Sequence, residues 1–177
     1  MNTNYNILYL QKIQSTNVYA MGNLAELPDR QVIVADIQTN GRGRFERKWV
    51  SDKPNNVYMS IVLKNLPLTN LTFQMAEAVR RTLKIYGVDA TIKEPNDVMV
   101  NNKKICGVLC QSSTRGDTLN GIVLGVGVNL NLSEHDLERI DQPASALNLI
   151  LGQPVDRDLF IKQLLDEFFA GYHQLSP

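Results

Sequence analysis

The sequence is poor in cysteine, has no excess of charge of either sign and contains no long apolar run. Its 177 residues include 2 cysteines, and its 18 basic side chains are balanced by 18 acidic ones. A neutral chain is not expected to attract nucleic acid or anionic membranes through a broad electrostatic field. No apolar stretch reaches the length of a bilayer span, and the N-terminus lacks the basic and apolar regions of a secretory signal. We therefore expect a cytoplasmic protein with no DNA and no membrane partner.

The two cysteines are too isolated to form a metal site. Cys106 and Cys110 lie four positions apart, with no histidine or further cysteine nearby, whereas structural zinc takes four such ligands. Four positions apart on a strand, they would also be too distant to form a disulfide with each other. We expect both to be buried, reduced thiols.

The spacing of apolar residues predicts one α+β domain. The hydrophobic content of 44% over this length is enough to form a core without disulfides. Strands are predicted at 5–10, 31–36 and 57–63, hairpins around VNNKKI and TRGD, and helices at 15–27, 71–86, from 133, at 145–151 and at 156–172. Because consecutive strands follow one another through short turns, we expect a mixed, largely antiparallel sheet flanked by helices rather than an array of βαβ units.

Two polar clusters occur in the N-terminal part of the chain. Ser15-Thr16-Asn17 stands at the start of a predicted helix, where it would cap the helix or bind a polar ligand head. The segment QTNGRGRFERKW, residues 38–49, concentrates glycines and arginines directly after a strand. Glycines let backbone approach a ligand, and arginines bind phosphate or carboxylate. A solvated basic turn is the alternative, since GRGR matches neither a Walker loop nor a dinucleotide motif.

A third cluster, KEPNDVMVNNKKICG, covers residues 93–107. Its Pro-Asn-Asp sequence is typical of a turn, or Asp97, assisted by Asn96, would hold Mg²⁺ beside phosphates. Lys103 and Lys104 face opposite ways on a strand, so at most one of them points into a site.

The fourth cluster is GVGVNLN, residues 125–131. Glycine is unfavourable in strands, so two glycines in an apolar strand indicate that a ligand or another part of the chain passes close by. Tight sheet packing is the alternative. Asn129 would offer a side-chain amide.

The order of these motifs resembles the catalytic domain of biotin protein ligases over about residues 8–131. It runs S-T-N, Q-T-x-G-R-G-R-x-x-R-x-W, K-x-P-N-D, K-x-x-G and G-x-G-x-N. The resemblance implies one catalytic domain over residues 1–177, with the fold of class II aminoacyl-tRNA synthetases and lipoate ligases. It implies that biotin and ATP, with Mg²⁺, form biotinyl-5′-AMP. The biotinyl group then passes to a lysine of a biotin carboxyl carrier domain.

The resemblance also assigns site residues. The biotin site would comprise Ser15, Thr16, Asn17, Gln38, Gly41, Arg42, Gly43, Arg44, Lys104 and Gly107. The nucleotide site would comprise Arg44, Arg47, Trp49, Asn96, Asp97, Lys104 and Asn129. Lys104, Arg44 and Asp97 would be catalytic, with Asp97 also the metal ligand. Attack of a carboxylate on an α-phosphate brings anions together, which cations must stabilise. We expect the glycine–arginine loop to be disordered without ligand and to close over biotin and the adenylate.

The chain departs from the family pattern at two positions. Glu94 replaces the tryptophan of K-W-P-N-D, and Glu46 stands where a glycine is usual. A new carboxylate at each place would repel ATP or pair with arginines. With a strand predicted from Tyr5 and nothing after GYHQLSP, we expect neither the N-terminal helix-turn-helix nor the C-terminal β-barrel of longer members, in a monomer or homodimer.

Three alternatives stay open from the sequence. A lipoate or octanoate ligase or transferase shares the expected fold. A relative that binds biotin but has lost the chemistry would keep most of the motifs. A structural or nucleic-acid-binding domain has only the basic loop in its favour. The histidines, His135 and His173, are expected at the surface, away from every cluster.

Overall fold

The architecture is one mixed sheet flanked by helices. The computed structural model describes residues 5–64, 70–116 and 118–172, without the side chains of Glu46 and Tyr172. The strands are β1 (Asn6–Ile13), β2 (Gln31–Gln38), β3 (Val57–Leu63), β4 (Thr91–Lys93), β5 (Asp97–Val100), β6 (Lys103–Arg115) and β7 (Thr118–Val128). The helices are α1 (Thr16–Gly22), α2 (Leu71–Ile85), α3 (Glu134–Glu138), α4 (Leu147–Leu151) and α5 (Arg157–Tyr172).

The strand order confirms the predicted mixed, largely antiparallel sheet. The strands lie in the order β1-β2-β3-β7-β6-β5-β4. Every described neighbouring pair is antiparallel except β1 and β2, which run parallel. These two strands and α1 form a βαβ unit, because the helix returns the chain to the edge where β1 began. The parallel pair makes the sheet mixed, as predicted, although the sequence pattern did not indicate which strands would form it.

The two faces of the sheet are packed differently. On the helix face, Val57, Met59, Ile61 and Leu63 of β3 share a core with α2 and α5. On the opposite face, Ala20 of α1 and Leu24 just after it pack on Ile33, Val62 and Val123. Every residue of β3 is buried, as expected for a central strand covered on both sides.

The second face carries the glycines of β7. An added Cβ at Gly121 would meet Leu24, one at Gly125 would meet the amide of Asn17, and one at Gly127 would meet the indole of Trp49. Gly125 and Gly127, the two glycines predicted to mark a close approach, are thus covered by side chains of this same chain. We call this side of the sheet the glycine face, and it positions the candidate site.

Local elements match the sequence predictions closely where their patterns are strong. The strand at 57–63 and the helix from Leu71, followed by left-handed Gly87, are confirmed. Asn101 and Asn102 both have positive φ, as the predicted type I′ hairpin requires. Helix α1 ends five residues earlier than the predicted boundary at 27, before Asn23, whose side-chain amide and backbone N–H both donate to the Tyr19 carbonyl.

The end of the predicted TRGD turn, Asp117, lies outside the described residues. Among the helices that are described, none combines the length and apolar character needed to cross a bilayer.

Candidate active site

A cavity of about 250 Å³ opens on the glycine face. It lies between the start of α1, the loop that follows β2 and the turn between β4 and β5. All of the residues predicted for the site line it except Gly41 and Asn129. Those that line it are Ser15, Thr16, Asn17, Gln38, Arg42, Gly43, Arg44, Arg47, Trp49, Asn96, Asp97, Lys104 and Gly107. Residues far apart in the chain are thus brought together as the motif order predicts.

One end of the cavity is built from buried, uncharged polar groups. Ser15, Thr16 and Asn17 are all buried at the start of α1, and Gln38 is buried at the end of β2. Gln38 Oε1 accepts the backbone N–H of Thr16 at 2.8 Å, whereas the Ser15 side chain makes no capping hydrogen bond. Gln38 therefore satisfies the free N–H at this helix start, and the Ser15 hydroxyl is not used for the cap.

The glycine–arginine loop forms a narrow hairpin. Gly43 N donates to Arg47 O at 2.7 Å, and Trp49 N donates to Gly41 O at 2.9 Å. A Cβ on Gly41 would collide with the Ser51 hydroxyl and the Trp49 carbonyl. Gly41 therefore permits the hairpin to pack on its base and does not line the cavity.

The tip of this hairpin carries an exposed aromatic ring. Phe45 adopts a left-handed backbone conformation, with φ 54°, and its side chain is 81% exposed. The Arg44 guanidinium lies 4.9 Å from the centre of the Phe45 ring. Arg44 Nη1 also donates to Asn96 Oδ1 at 3.2 Å, so Arg44 connects the loop to the Pro-Asn-Asp turn.

The cavity is strongly cationic in a chain whose net charge is zero. Its described lining includes the side chains of Arg42, Arg44, Arg47, Lys48, Lys93 and Lys104. Asp97 is the one carboxylate among the lining side chains that the structure describes. Concentrated positive charge in a concave site favours anionic ligands. The zero net charge of the whole chain therefore hides a local concentration of positive charge that favours anions.

Lys104 and Asp97 form an ion pair within the cavity. Lys104 Nζ lies 2.7 Å from Asp97 Oδ1, and the two side chains are 13% and 20% exposed. The Asp97 oxygen has no well-directed hydrogen bond among the described residues, so the contact is an ion pair by distance. Lys103, by contrast, is exposed. The structure thus points Lys104 inward, in agreement with the prediction that at most one of the two lysines does so.

Trp49 divides the cavity from a smaller one behind it. Its indole lies against Gly107 and Gly127, and its Nε1 is buried without a hydrogen-bond partner among the described residues. Asn129 lies on the far side and lines the smaller cavity, with its amide donating to Ser145 O at 3.0 Å. Asn129 is therefore separated from the main cavity by the Trp49 ring.

Four further residues belong to the site or support it, and the sequence analysis did not single them out. Lys93 lines the cavity and is the first residue of K-x-P-N-D, so the motif already contained its signal. Ser60 is the one small polar residue in a strand of apolar and aromatic residues, and that polar interruption was its signal. Gln142 lines the cavity from the segment after α3, and Gln111 contacts Asn17 from β6. Neither of these two glutamines stands in a recognisable local pattern.

Of the two departures from the family pattern, Glu94 lies outside the cavity. Glu94 is exposed on the turn, while the Glu46 side chain is outside the described part of the structure. His135 is exposed on α3 beside Glu138, and His173 lies outside the described residues. Cys106 is buried and Cys110 half-buried, and burial raises the pKa of both thiols.

Comparison with known proteins places the chain among ligases. Residues 7–129 match the profile of the Biotin/lipoate A/B protein ligase family. The chain is 34% identical over 151 residues to the bifunctional ligase/repressor BirA of Bacillus subtilis, a match covering 82% of this chain and 46% of that protein. It is also 34% identical over 177 residues to the biotin–[acetyl-CoA-carboxylase] ligase of Paracoccus denitrificans, covering 94% of this chain and 73% of that one.

A solved structure agrees with these sequence matches. The biotin protein ligase from Aquifex aeolicus in complex with biotin and ATP superposes with a TM-score of 0.81 at 28% identity, covering 96% of this chain and 71% of that one. The present chain spans about half the length of the Bacillus relative.

Proposed function

Because the chain belongs to the Biotin/lipoate A/B protein ligase family, we propose that it activates biotin with ATP as biotinyl-5′-AMP. It then transfers the biotinyl group to a lysine of a biotin carboxyl carrier domain. The observation that carries this proposal is the two-ended cavity, with a buried, uncharged polar end at Ser15–Asn17 and a cationic end around Arg44 and Lys104. Biotin has a neutral polar ring and an anionic tail, and ATP adds further anionic groups.

The polar end favours biotin over lipoate. A ureido ring offers N–H donors and a carbonyl acceptor, and buried polar groups of a site require such partners. Thr16, Asn17 and Gln38 supply matching hydrogen-bond groups at the cavity floor. The dithiolane ring of lipoate has no N–H or C=O group, so it would form no such hydrogen bonds with these side chains.

The cationic end suits the activation step. A biotin carboxylate oxygen attacks the α-phosphorus of ATP, and the bond from that phosphorus to the β-phosphate oxygen breaks, releasing pyrophosphate. Lys104 and Arg44 both line the cavity, and their charges would reduce repulsion between the two anions. Lys104 would leave its ion pair with Asp97 to contact the carboxylate and the α-phosphate.

Asp97 would contribute to binding Mg²⁺ that arrives with ATP. The described residues contain no cluster of three or more side chains able to hold a metal by themselves. A single carboxylate fits the way Mg²⁺ is usually bound, through one or two carboxylates together with substrate phosphates and water. Asn96, whose Oδ1 accepts from Arg44, stands beside Asp97 on the same turn.

The loop hairpin would protect the mixed anhydride from water until transfer. In that step the ε-amine of the carrier lysine attacks the biotinyl carbonyl, forms an amide bond and displaces AMP. Gly43 and Arg44 lie over the cavity, and the Arg44–Asn96 hydrogen bond ties the loop to the opposite wall. This arrangement supports a role of the loop as a lid.

The first test is pyrophosphate release by the purified chain with ATP, Mg²⁺ and biotin, with lipoate in place of biotin as the control. We expect pyrophosphate release with biotin and none with lipoate. Release with lipoate instead would identify the chain as a lipoate ligase. Biotin binding by calorimetry without release would identify a relative that has lost the chemistry.

The second test compares two neighbouring lysines. We expect Lys104→Ala to reduce pyrophosphate release by roughly a hundredfold or more, the range seen for loss of one preorganised charge-stabilising group. Lys103→Ala should retain nearly full activity because this side chain is exposed outside the cavity. Equal losses in both variants would contradict the assignment of Lys104.

A further inference from the structure

A chain of hydrogen bonds leads from the cavity floor to a residue outside it. Ser60 Oγ, which is fully buried, lies 2.7 Å from Thr16 Oγ1 and 2.6 Å from Asn17 Oδ1. On its other side the Asn17 amide donates to Gln111 Oε1 at 3.0 Å. Thr16 and Asn17 line the cavity, whereas Ser60 and Gln111 do not.

The orientation of the Asn17 amide follows from its partners on β6. Its nitrogen faces the Leu109 carbonyl at 3.4 Å and the Gln111 side-chain oxygen at 3.0 Å. A backbone carbonyl can only accept, so the NH₂ group of Asn17 must point to β6 and its oxygen to Ser60. The Leu109 carbonyl, which only accepts, sets this direction, and Gln111 Oε1, at the shorter distance, accepts the stronger hydrogen bond from the same NH₂ group.

This orientation determines where the hydroxyl hydrogens of Ser60 and Thr16 go. Asn17 Oδ1 only accepts, so the single hydrogen of Ser60 is donated to it. The Ser60–Thr16 contact, at 2.7 Å, is shorter than the Thr16–Gln38 contact, at 3.2 Å, so the single hydrogen of Thr16 is donated to Ser60 rather than to Gln38. As a result, Thr16 Oγ1 and Gln38 Oε1, which are 3.2 Å apart, have no hydroxyl hydrogen between them. The two oxygens together present acceptors to a ligand N–H.

We propose that Gln111 is a positioning residue for the ligand head. By holding the Asn17 amide in one orientation, it leaves Thr16 and Gln38 as hydrogen-bond acceptors at the cavity floor. The inference rests on the proposed function, because the matching ligand group is the N–H of a ureido ring. Gln111 makes no contact with the cavity itself and acts through Asn17, Ser60 and Thr16.

The test replaces Gln111 by a side chain that only accepts and by one that only donates. Gln111→Glu keeps an acceptor opposite the Asn17 NH₂ group, so we expect the KM for biotin to change by less than about threefold. Gln111→Lys offers only donors, so the Asn17 amide flips and turns its NH₂ group toward Ser60. Ser60 then donates its hydrogen to Thr16, and the Thr16 hydroxyl hydrogen points to Gln38. We expect the KM for biotin to rise roughly tenfold, which corresponds to about 1.4 kcal/mol, with the KM for ATP changed less than about twofold.

A second readout separates positioning from a general loss of structure. Biotin methylated on a ureido nitrogen lacks one N–H donor, and the unsubstituted chain should discriminate strongly against it. Gln111→Lys should reduce this discrimination, because the floor no longer accepts from that N–H. Ser112→Lys serves as the matched control, since it adds the same charge at an exposed neighbouring position of β6.

The outcomes distinguish the inference from the proposed function. Equal changes in biotin KM for Gln111→Glu and Gln111→Lys, or unchanged discrimination in Gln111→Lys, would overturn the role of Gln111 while the ligase activity of the unsubstituted chain stands. If the unsubstituted chain neither binds biotin nor releases pyrophosphate with it, the proposed function fails, and the inference fails with it.

Discussion

Two glycines of β7 allow the two ends of the cavity to be perturbed separately by the same chemical change. A Cβ added at Gly127 would lie 2.5 Å from Trp49 Cε2 and 2.6 Å from its Nε1. A Cβ added at Gly125 would instead meet the Asn17 amide, at 2.8 Å from Cγ. We therefore expect Gly127→Ala to act on the proposed nucleotide side of the site and Gly125→Ala on the proposed biotin side.

The geometry gives the size of the effect. Ordinary carbon contacts are about 3.5 Å or longer, so the Trp49 ring or the strand must move by about 1 Å in Gly127→Ala. Overpacking of this kind costs about 1–3 kcal/mol of stability. We expect the KM for ATP to rise roughly tenfold, the equivalent of about 1.4 kcal/mol. In Gly125→Ala the rise should fall on the KM for biotin instead.

The assay can follow the displaced ring directly, because Trp49 is the only tryptophan of the chain. Its emission should shift to longer wavelength in Gly127→Ala, as the indole leaves the sheet, and stay unchanged in Gly125→Ala. Gly22→Ala is the control, since no heavy atom lies within 4 Å of its added Cβ. If both β7 variants raised the two KM values equally, or if Trp49 emission were the same in all three, the argument from the glycine face would be refuted.

Three further predictions concern the loop, the turn and helix α3. Arg44→Gly removes the hydrogen bond to Asn96, so activated biotin should escape from the site faster, seen as more biotin hydroxamate when hydroxylamine is added; retention equal to the parent would contradict the lid. Glu94→Trp should leave pyrophosphate release equal or higher, because Glu94 is exposed outside the cavity; a large loss would give Glu94 a role of its own. Hydrogen bonds from Ser133 lower the pKa of Asp136 from 3.8 to about 2, so their stabilisation is present above about pH 4 and is lost as the pH falls to about 2. Ser133→Ala should therefore show a shallower acid dependence of unfolding over that interval, and an unchanged slope would exclude this contribution.

Sequence patterns predicted the parts of the fold that depend on local periodicity. The strand at 57–63 and the helix from Leu71 have strong apolar repeats, and their observed bounds agree with the pattern. The parallel pairing of β1 with β2 was missed, since strand direction depends on where α1 returns the chain. The early end of α1 was missed because the apolar spacing does not show that the Asn23 side chain donates to a carbonyl of the helix.

The candidate site was predictable as a set of motifs but not as an arrangement. The motif order identified most of the cavity lining, because the proposed chemistry requires those residue types. It could not show that Gly41 packs beneath the hairpin or that Asn129 lies behind Trp49. It also could not find Gln111, whose contact with Asn17 joins residues distant in sequence. Such positions are defined by tertiary packing and carry no local pattern.

The pairing of β3 with β7 has a consequence for how the protein folds. This pairing joins the strands of the N-terminal part, β1 to β3, to the hairpins of β4 to β7. Pairings between segments so distant in sequence form slowly, because the loop entropy must be lost before contacts compensate for it. We call the β3–β7 pairing the seam. The polar end of the cavity comes from the N-terminal side of this seam, while Lys104 and Asp97 come from the other side. Neither part alone contains a binding site, so a ligand spanning the cavity binds only after the seam has closed. Its binding energy is added to the stability of the complete fold and to none of the partly folded states.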